Sequence, residues 1–103
     1  ADATAVLLAL TQEYPELPEP HNNLAALYAQ QGQYDKARGS LEMAVRLNPG
    51  YAIAHENLGD VYARLAGQSY ARALQLDGAS TSANTKLTQV RAMLSPPAAA
   101  TRR

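Results

Sequence analysis

The sequence contains no cysteine, no tryptophan and no phenylalanine, and all six of its aromatic residues are tyrosine. Without cysteine the chain has no thiolate metal site, no disulfide and no cysteine nucleophile. An excess of charge of one sign is also absent, because nine basic residues balance nine acidic ones and the formal net charge is zero. Binding to nucleic acid or to an anionic membrane surface needs clustered Lys and Arg, so the composition argues against both. No apolar run approaches the roughly 20 residues of a membrane span.

What is present is a chain of 103 residues, 47% of them hydrophobic, in which Ala and Leu dominate. This length corresponds to one domain at most. Ala and Leu are strong helix formers, so the composition predicts a core made of many small contacts between helices.

The sequence repeats itself at a fixed interval along the chain. A shift of 34 aligns Asn23 with Asn57 and Tyr28 with Tyr62. Within one period, apolar residues recur at helical spacing, Gly32 interrupts them, and a second helical pattern follows. A period of this length is typical of antiparallel helical hairpins that stack on one another.

Residues 18–51 closely resemble a tetratricopeptide repeat. The family's signature positions are occupied by Leu24, Ala25, Tyr28, Gly32, Tyr34, Ala37, Leu41, Ala44 and Pro49. His21 stands where the family usually has Trp, which weakens one packing contact. The resemblance implies an all-α fold, a tetratricopeptide-like stack of antiparallel helical hairpins with about five helices. The Ala-rich composition is similar to that of bacterial members of the family.

The resemblance also implies a domain organisation, in which residues 1–94 form one helical repeat domain. Its expected parts are the second helix of a partial repeat (2–14), a full repeat (18–51), a shortened repeat (52–79) and a capping helix (81–94). Residues 95–103, rich in Pro and Ala, are expected to be a disordered tail. Because the partial repeat lacks its first helix, we interpret the chain as a piece of a longer protein. The compartment stays open between the bacterial cytoplasm and, if an upstream signal was removed, the periplasm.

The shortened repeat lacks five residues, since Ala73 follows its equivalent Ala44 at an interval of 29 rather than 34. The deletion falls on the segment equivalent to residues 31–35, which contains the turn between the two helices. Apolar residues keep one helical phase through the junction, which favours a single long helix over about residues 53–77. The alternative is a tight turn at Gly67 followed by a shortened second helix.

Few side chains of the sequence are suited to catalysis or to metal binding. His21 and His55 occupy equivalent repeat positions, but no acidic residues accompany them at a recognised ligand spacing, so packing is favoured over a shared metal. The serine hydroxyls have no His or Asp at motif spacing, and the glycines form no phosphate-binding pattern. We therefore expect neither an enzyme nor a bound metal or cofactor.

The resemblance implies that the function lies in the concave groove lined by the first helices of the repeats, where members of this family bind extended peptides or partner helices. Transferred position by position, the predicted partner-binding groove consists of Asn22, Asn23, Ala26, Gln30, Glu56, Asn57, Asp60 and Arg64. Asn23 and Asn57 are the most specific candidates of this set, because a carboxamide can both donate hydrogen bonds to a peptide backbone and accept them from it. A clamp for a C-terminal carboxylate is disfavoured, because the lysine that accompanies it in the family is absent.

The sequence thus predicts a protein–protein interaction module or scaffold that binds a partner peptide or helix. Whether the Asn pair anchors a partner or acts only within its own helices stays open. The alternative function is structural self-association, a homodimer formed through an exposed stripe of the shortened repeat. That stripe consists of Leu65, Tyr70, Ala73 and Leu76.

Overall fold

The computed structural model describes residues 2–95 of the chain, which form five α-helices and no strand. The helices are α1 (Ala3–Glu13), α2 (Pro18–Gln30), α3 (Tyr34–Leu47), α4 (Ala52–Leu76) and α5 (Thr81–Leu94). The predicted all-α class with about five helices is confirmed. Of the tail predicted over residues 95–103, all but the first residue lies outside the described residues. The chain divides into two compact units, residues 1–62 and residues 63–103, and α4 runs through the division.

The core of the first unit is built from small and branched apolar residues. Its buried members are Leu24, Ala25, Ala37, Leu41, Ala44, Ala54 and Val61, none more than 5% exposed. Because alanine ends at its Cβ atom, α2 and α3 can approach closely, while leucines fill the spaces between the small side chains. The contact between α2 and α3 is the most extensive helix pair of this unit, and α1 also packs on α2.

The turn between α2 and α3 depends on Gly32, which has a φ of 76°. Its N–H donates to the carbonyl of Ala29 at 3.0 Å, and the N–H of Gln33 donates to the carbonyl of Tyr28 at 2.9 Å. This pair of bonds is the Schellman motif, which ends a helix and satisfies its last carbonyls. A left-handed φ costs other residues about 1–2 kcal/mol, so glycine at this position lets the chain reverse into a hairpin.

The connections between hairpins repeat along the chain. In residues 14–17, 48–51 and 77–80, the N–H of the fourth residue donates to the carbonyl of the first, at 3.1, 3.0 and 3.2 Å. Asn48 and Asp77 strengthen the second and third of these turns, because each side chain accepts from the N–H two residues later at 3.1 Å. The turns begin at intervals of 34 and then 29. The structure therefore reproduces the period read from the sequence, including the loss of five residues.

In the shortened repeat α4 continues without interruption from Ala52 to Leu76. The single long helix favoured by the sequence is therefore present, and the alternative of a tight turn at Gly67 is wrong. The physical reason is that the deletion removes the segment equivalent to residues 31–35, which forms the turn in the full repeat, so the apolar pattern continues in one helical phase. Within the second unit α5 packs against α4, and a Cβ added to Gly67 would lie 3.6 Å from Val90 Cγ1.

Tyrosines reinforce the packing of the first unit at its surface. The hydroxyl of Tyr62 on α4 donates to the carboxylate of Glu42 on α3 at 3.1 Å. This hydrogen bond is the main cause of a raised pKa of the Tyr62 phenol, with desolvation and the negative charge of Glu42 acting in the same direction. The ammonium group of Lys36 on α3 lies 5.7 Å from the ring centre of Tyr28 on α2. Tyr28 is half-buried and Tyr62 is 46% exposed, so both rings lie at the border of the core and not inside it.

Alanine substitutions at Gly67 and Gly32 should change stability in opposite directions. Gly67→Ala should raise the free energy of unfolding by up to about 1 kcal/mol, because alanine is the better helix former and the added Cβ makes ordinary van der Waals contacts. Gly32→Ala should lower the free energy of unfolding by roughly 1–2 kcal/mol, the cost of a left-handed φ for a residue with a Cβ atom. Urea denaturation followed by circular dichroism measures both. A destabilising Gly67→Ala would contradict a continuous α4.

Candidate partner-binding face

Three of the four predicted groove residues of α2 lie on one exposed stripe. Asn23, Ala26 and Gln30 are all exposed, and Glu19 joins them at the start of the helix. Their spacings of four, three and four residues place them on one face of an α-helix. Leu24 and Ala25 lie on the opposite side of α2 and enter the core. Packing against α3 therefore fixes which face of α2 meets solvent.

The first turns of α4 carry a second exposed stripe. Glu56 and Asp60, both predicted groove residues, are exposed and lie one helical turn apart. Ile53 precedes them on the same stripe, and its side chain is 55% exposed. Arg64 is also exposed but belongs to the second unit, so the candidate face consists of residues of the first unit alone.

Ile53 was not included in the sequence prediction. The repeat alignment could have predicted its position, because a shift of 34 aligns Ile53 with Glu19, the first member of the α2 stripe. An apolar side chain this exposed gives the face one hydrophobic contact point.

Asn22 and Asn57 bond to each other rather than facing solvent together with the remaining groove residues. Asn22 is only 8% exposed, and its Oδ1 accepts a hydrogen bond from Nδ2 of Asn57 at 3.1 Å. Asn57 itself is half-buried, whereas Asn23, its repeat equivalent, is exposed. The repeat alignment identifies equivalent positions, but contacts between neighbouring helices join positions that are not equivalent. The sequence could therefore not reveal that Asn22 ties α2 to α4.

The exposed face of α2 and of the first turns of α4 is acidic. It carries the carboxylates of Glu19, Glu56 and Asp60, and neither α2 nor residues 52–62 contain Lys or Arg. The lysine and arginines of the helices in this unit are Lys36, Arg38 and Arg46, and all three are on α3. The face therefore carries negative charge although the whole chain is neutral.

Neither histidine belongs to the exposed stripes of the candidate face, and His55 is exposed whereas His21 is half-buried. His55 Nε2 lies 2.9 Å from the carbonyl oxygen of Pro49, at the turn that precedes α4. His21 Nε2 is buried and has no hydrogen-bond partner. Within residues 2–95, no group of three or more His, Cys, Asp or Glu residues is arranged to hold a metal ion. In the same range no helix has both the length and the apolar character to cross a membrane.

Comparison with known proteins finds sequence similarity to a family of helical repeats. The family described as TPR repeat matches residues 26–65, from the middle of α2 into the middle of α4. The tetratricopeptide repeat domain-containing protein PYG7, chloroplastic, of Arabidopsis thaliana is 43% identical over 47 residues, covering 46% of this chain and 16% of that protein. The TPR repeat-containing thioredoxin TTL4, also of Arabidopsis thaliana, is 36% identical over 72 residues, covering 70% of this chain and 11% of that protein. The chain thus matches only a small part of either relative.

Removing the carboxamide of Asn57 should destabilise the fold, whereas removing that of its equivalent Asn23 should not. Asn57→Ala leaves the buried Oδ1 of Asn22 without a donor, which should lower the free energy of unfolding by about 1–3 kcal/mol. Asn23→Ala should change it by no more than about 0.5 kcal/mol, because Asn23 is exposed.

Chemical denaturation measures the effects of Asn23→Ala and Asn57→Ala. Adding Asn22→Ala and the double variant Asn22→Ala, Asn57→Ala gives the coupling between the two bonded side chains. Equal effects of Asn57→Ala and Asn23→Ala would contradict the assignment.

Proposed function

We propose, from the tetratricopeptide repeat that this chain carries over residues 26–65, that its first unit is a protein-interaction module. Repeats of this family generally mediate contacts between proteins. The partner in this proposal is a peptide segment or helix that lies along the exposed stripes of α2 and of the first turns of α4. The observation that carries the proposal is the arrangement of these stripes, which the core leaves facing solvent on neighbouring helices.

The chemistry of the α2 stripe suits a polypeptide ligand. Ala26 has no side chain beyond Cβ, so a partner can approach the helix closely at its centre. Asn23 and Gln30 flank it, and each carboxamide offers two donors and one acceptor to a peptide backbone. Asn22 and Asn57 are proposed to support this surface from below, since their side chains bond to each other.

The negative charge of the two exposed stripes limits the class of partner that can bind there. The carboxylates of Glu19, Glu56 and Asp60 attract Lys and Arg side chains and repel a partner's C-terminal carboxylate. We therefore propose a partner segment with basic residues, and not one held by its terminal carboxylate. Ile53 supplies an apolar contact beside the acidic residues, which suits an amphipathic segment.

Reversal of charge on α4 tests this proposal. Peptides selected from a random displayed library against the chain should be enriched in Lys and Arg, and their binding should weaken as salt is raised. The variant Glu56→Lys, Asp60→Lys should bind the selected peptides at least tenfold more weakly, because attraction becomes repulsion. Fluorescence anisotropy of labelled peptides measures the affinities.

The matched control is Glu13→Lys, Glu16→Lys, which changes the net charge by the same amount at two exposed positions outside the face. If both double variants weaken binding equally, the effect is one of net charge and the site assignment fails. Selected peptides without basic residues would contradict the proposed class of partner.

We propose that the module acts by binding and not by catalysis. Repeats of this family are typically non-enzymatic scaffolds. The chain contains no cysteine, so it holds no thiol for redox chemistry, although one relative is by name a thioredoxin. For the domain organisation we propose a full repeat over residues 18–51 and a shortened repeat over residues 52–79. In this proposal α5 is the helix that covers the last apolar face of the stack. A bacterial source stays a prediction from composition, while both relatives named above are from a plant.

Self-association is a second candidate function, favoured by exposed apolar residues in the second unit. Leu76 at the end of α4 is 73% exposed and Met93 on α5 is 65% exposed. Leu65, Tyr70 and Ala73, which belong to the stripe predicted from the sequence, are half-buried.

If the second unit forms a homodimer, light scattering should show a mass that rises toward twice 11.0 kDa with concentration. Leu76→Lys, Met93→Lys should abolish that rise, because the charges cannot be buried in an apolar contact. The control Gln68→Lys, Gln89→Lys adds the same charge at polar positions of the same helices and should leave it unchanged. A constant monomer mass removes this candidate.

A further inference from the structure

The charges of the chain are segregated between its two units. Residues 1–62 contain eight acidic and three basic residues, whereas residues 63–103 contain one acidic and six basic residues. The two units therefore carry net charges of −5 and +5, which cancel in the whole chain. Copies of a protein without net charge do not repel one another at a distance, so oppositely charged surfaces on two copies are free to attract each other.

Part of the positive charge of the second unit lies on an exposed stripe of α4. Gln68, Arg72 and Leu76 are all exposed, and their intervals of four residues place them on one side of the helix. Arg64, one turn before Gln68, is exposed as well. A guanidinium N–H of Arg72 donates to Oε1 of Gln75 at 3.0 Å, which holds the positive group beside the helix. Arg64, Gln68, Arg72 and Leu76 are called the basic stripe below.

The acidic stripe of α4, which belongs to the first unit, has a matching order of side chains. It consists of Ile53, Glu56 and Asp60, an apolar residue followed by two carboxylates at intervals of three and four residues. The basic stripe has the same order when it is read backwards from its end, with the apolar Leu76 followed by a guanidinium and a carboxamide. Consecutive members of either stripe are one helical turn apart, about 6 Å along the axis.

We propose that the acidic stripe of one copy of this chain binds the basic stripe of a second copy, with the two α4 helices antiparallel. The paired side chains, one from each copy, are Ile53 with Leu76, Glu56 with Arg72, and Asp60 with Gln68. This contact rests on the function proposed above, because it names the partner of the acidic residues on α4. It differs from a homodimer of the second unit, because one of its two surfaces lies in the first unit.

The antiparallel direction is the one that matches all three kinds of side chain. Ile53 is 55% exposed and Leu76 is 73% exposed, so their contact removes two apolar side chains from water. A parallel arrangement that paired Asp60 with Arg72 would place Ile53 against Arg64 and leave Leu76 uncovered. An unrelated basic segment would satisfy only the carboxylates, whereas the second copy also supplies the amide donor and the leucine.

The contact should be weak and sensitive to salt. Each ion pair at an exposed position contributes little, and dissolved ions screen it. Sedimentation equilibrium should therefore show an average mass that rises above 11.0 kDa with protein concentration at low salt. The association constant should fall about tenfold or more between roughly 0.02 and 0.5 M salt.

Reversal of the charges on either stripe should abolish the rise in mass. Glu56→Lys, Asp60→Lys and Arg64→Glu, Arg72→Glu should each lower the association constant at least tenfold, because attraction becomes repulsion. The chain with all four substitutions exchanges the signs of the two stripes at unchanged net charge, so it should associate again. The control Glu13→Lys, Glu16→Lys shifts the net charge as much as reversal of the acidic stripe does, yet it should associate as the natural chain does.

A double-mutant cycle with milder substitutions tests the register in case the four-substitution chain does not fold. Glu56→Gln and Arg72→Gln should each weaken association, and together they should cost less than the sum of the two effects, because they remove the same ion pair. Circular dichroism should show the helix content of the natural chain in both variants. Additive effects would overturn the pairing of these two residues.

The remaining outcomes separate this contact from the functions proposed above. A constant monomer mass at low salt would overturn it, while the selection of basic peptides would still test the candidate face independently. Association that Met93→Lys abolishes and that charge reversal leaves unchanged would also overturn it, since Met93 lies outside both stripes. Association that the four-substitution chain regains supports it, because neither net charge nor the apolar residues differ from those of the natural chain.

Discussion

A chain reversal that needs one residue with a positive φ decides the architecture of each repeat. Where Gly32 supplies it, two hydrogen bonds of the Schellman type end α2, and the chain folds back so that α3 covers the apolar face of α2. Where the five residues around this turn are deleted, the same apolar pattern runs on as the 25-residue helix α4. The packing of α3 on α2 follows from the presence of this turn, and the uninterrupted course of α4 follows from its absence.

Close approach of helices is the second constraint, and it explains why so few aromatic side chains suffice. Ala25, Ala37 and Ala44 are at most 1% exposed, which places backbone near backbone across the α2–α3 contact. Once the apolar faces are fixed in this way, the polar residues beside them must either pair or reach solvent. Asn22 pairs with Asn57, and Asn23 reaches solvent. The carboxamide of Asn22 thus links α2 to α4, whereas the carboxamide of Asn23 is exposed to solvent.

Two surfaces of different chemistry result within the first unit. The stripes of α2 and of the first turns of α4 combine carboxylates, carboxamides and an exposed Ile53, which suits a basic, amphipathic segment. The exposed face of α1 is mainly apolar, with Val6 54% and Leu8 39% exposed. A neutral chain can therefore present an acidic face and an apolar face within one unit.

The sequence by itself determined the elements and their order. The repeat period, the glycine of the turn and the spacing of the connecting turns are local or periodic signals, and local hydrogen bonds such as those in residues 48–51 and 77–80 realise them directly. It also favoured the long helix correctly, because a deleted turn is visible as a change of period from 34 to 29.

Only the tertiary structure decided which polar residues of a helix remain accessible. Asn22 and Asn23 are adjacent in sequence, identical in chemistry and both plausible groove residues, yet one is 8% exposed and the other faces solvent. Their difference arises from a rotation of about 100° about the helix axis, and its consequence depends on where α4 lies. The same holds for Ile53, whose exposure depends on which side of α4 the core covers. Sequence periodicity fixes the positions that are equivalent, but contacts between helices fix the positions that meet.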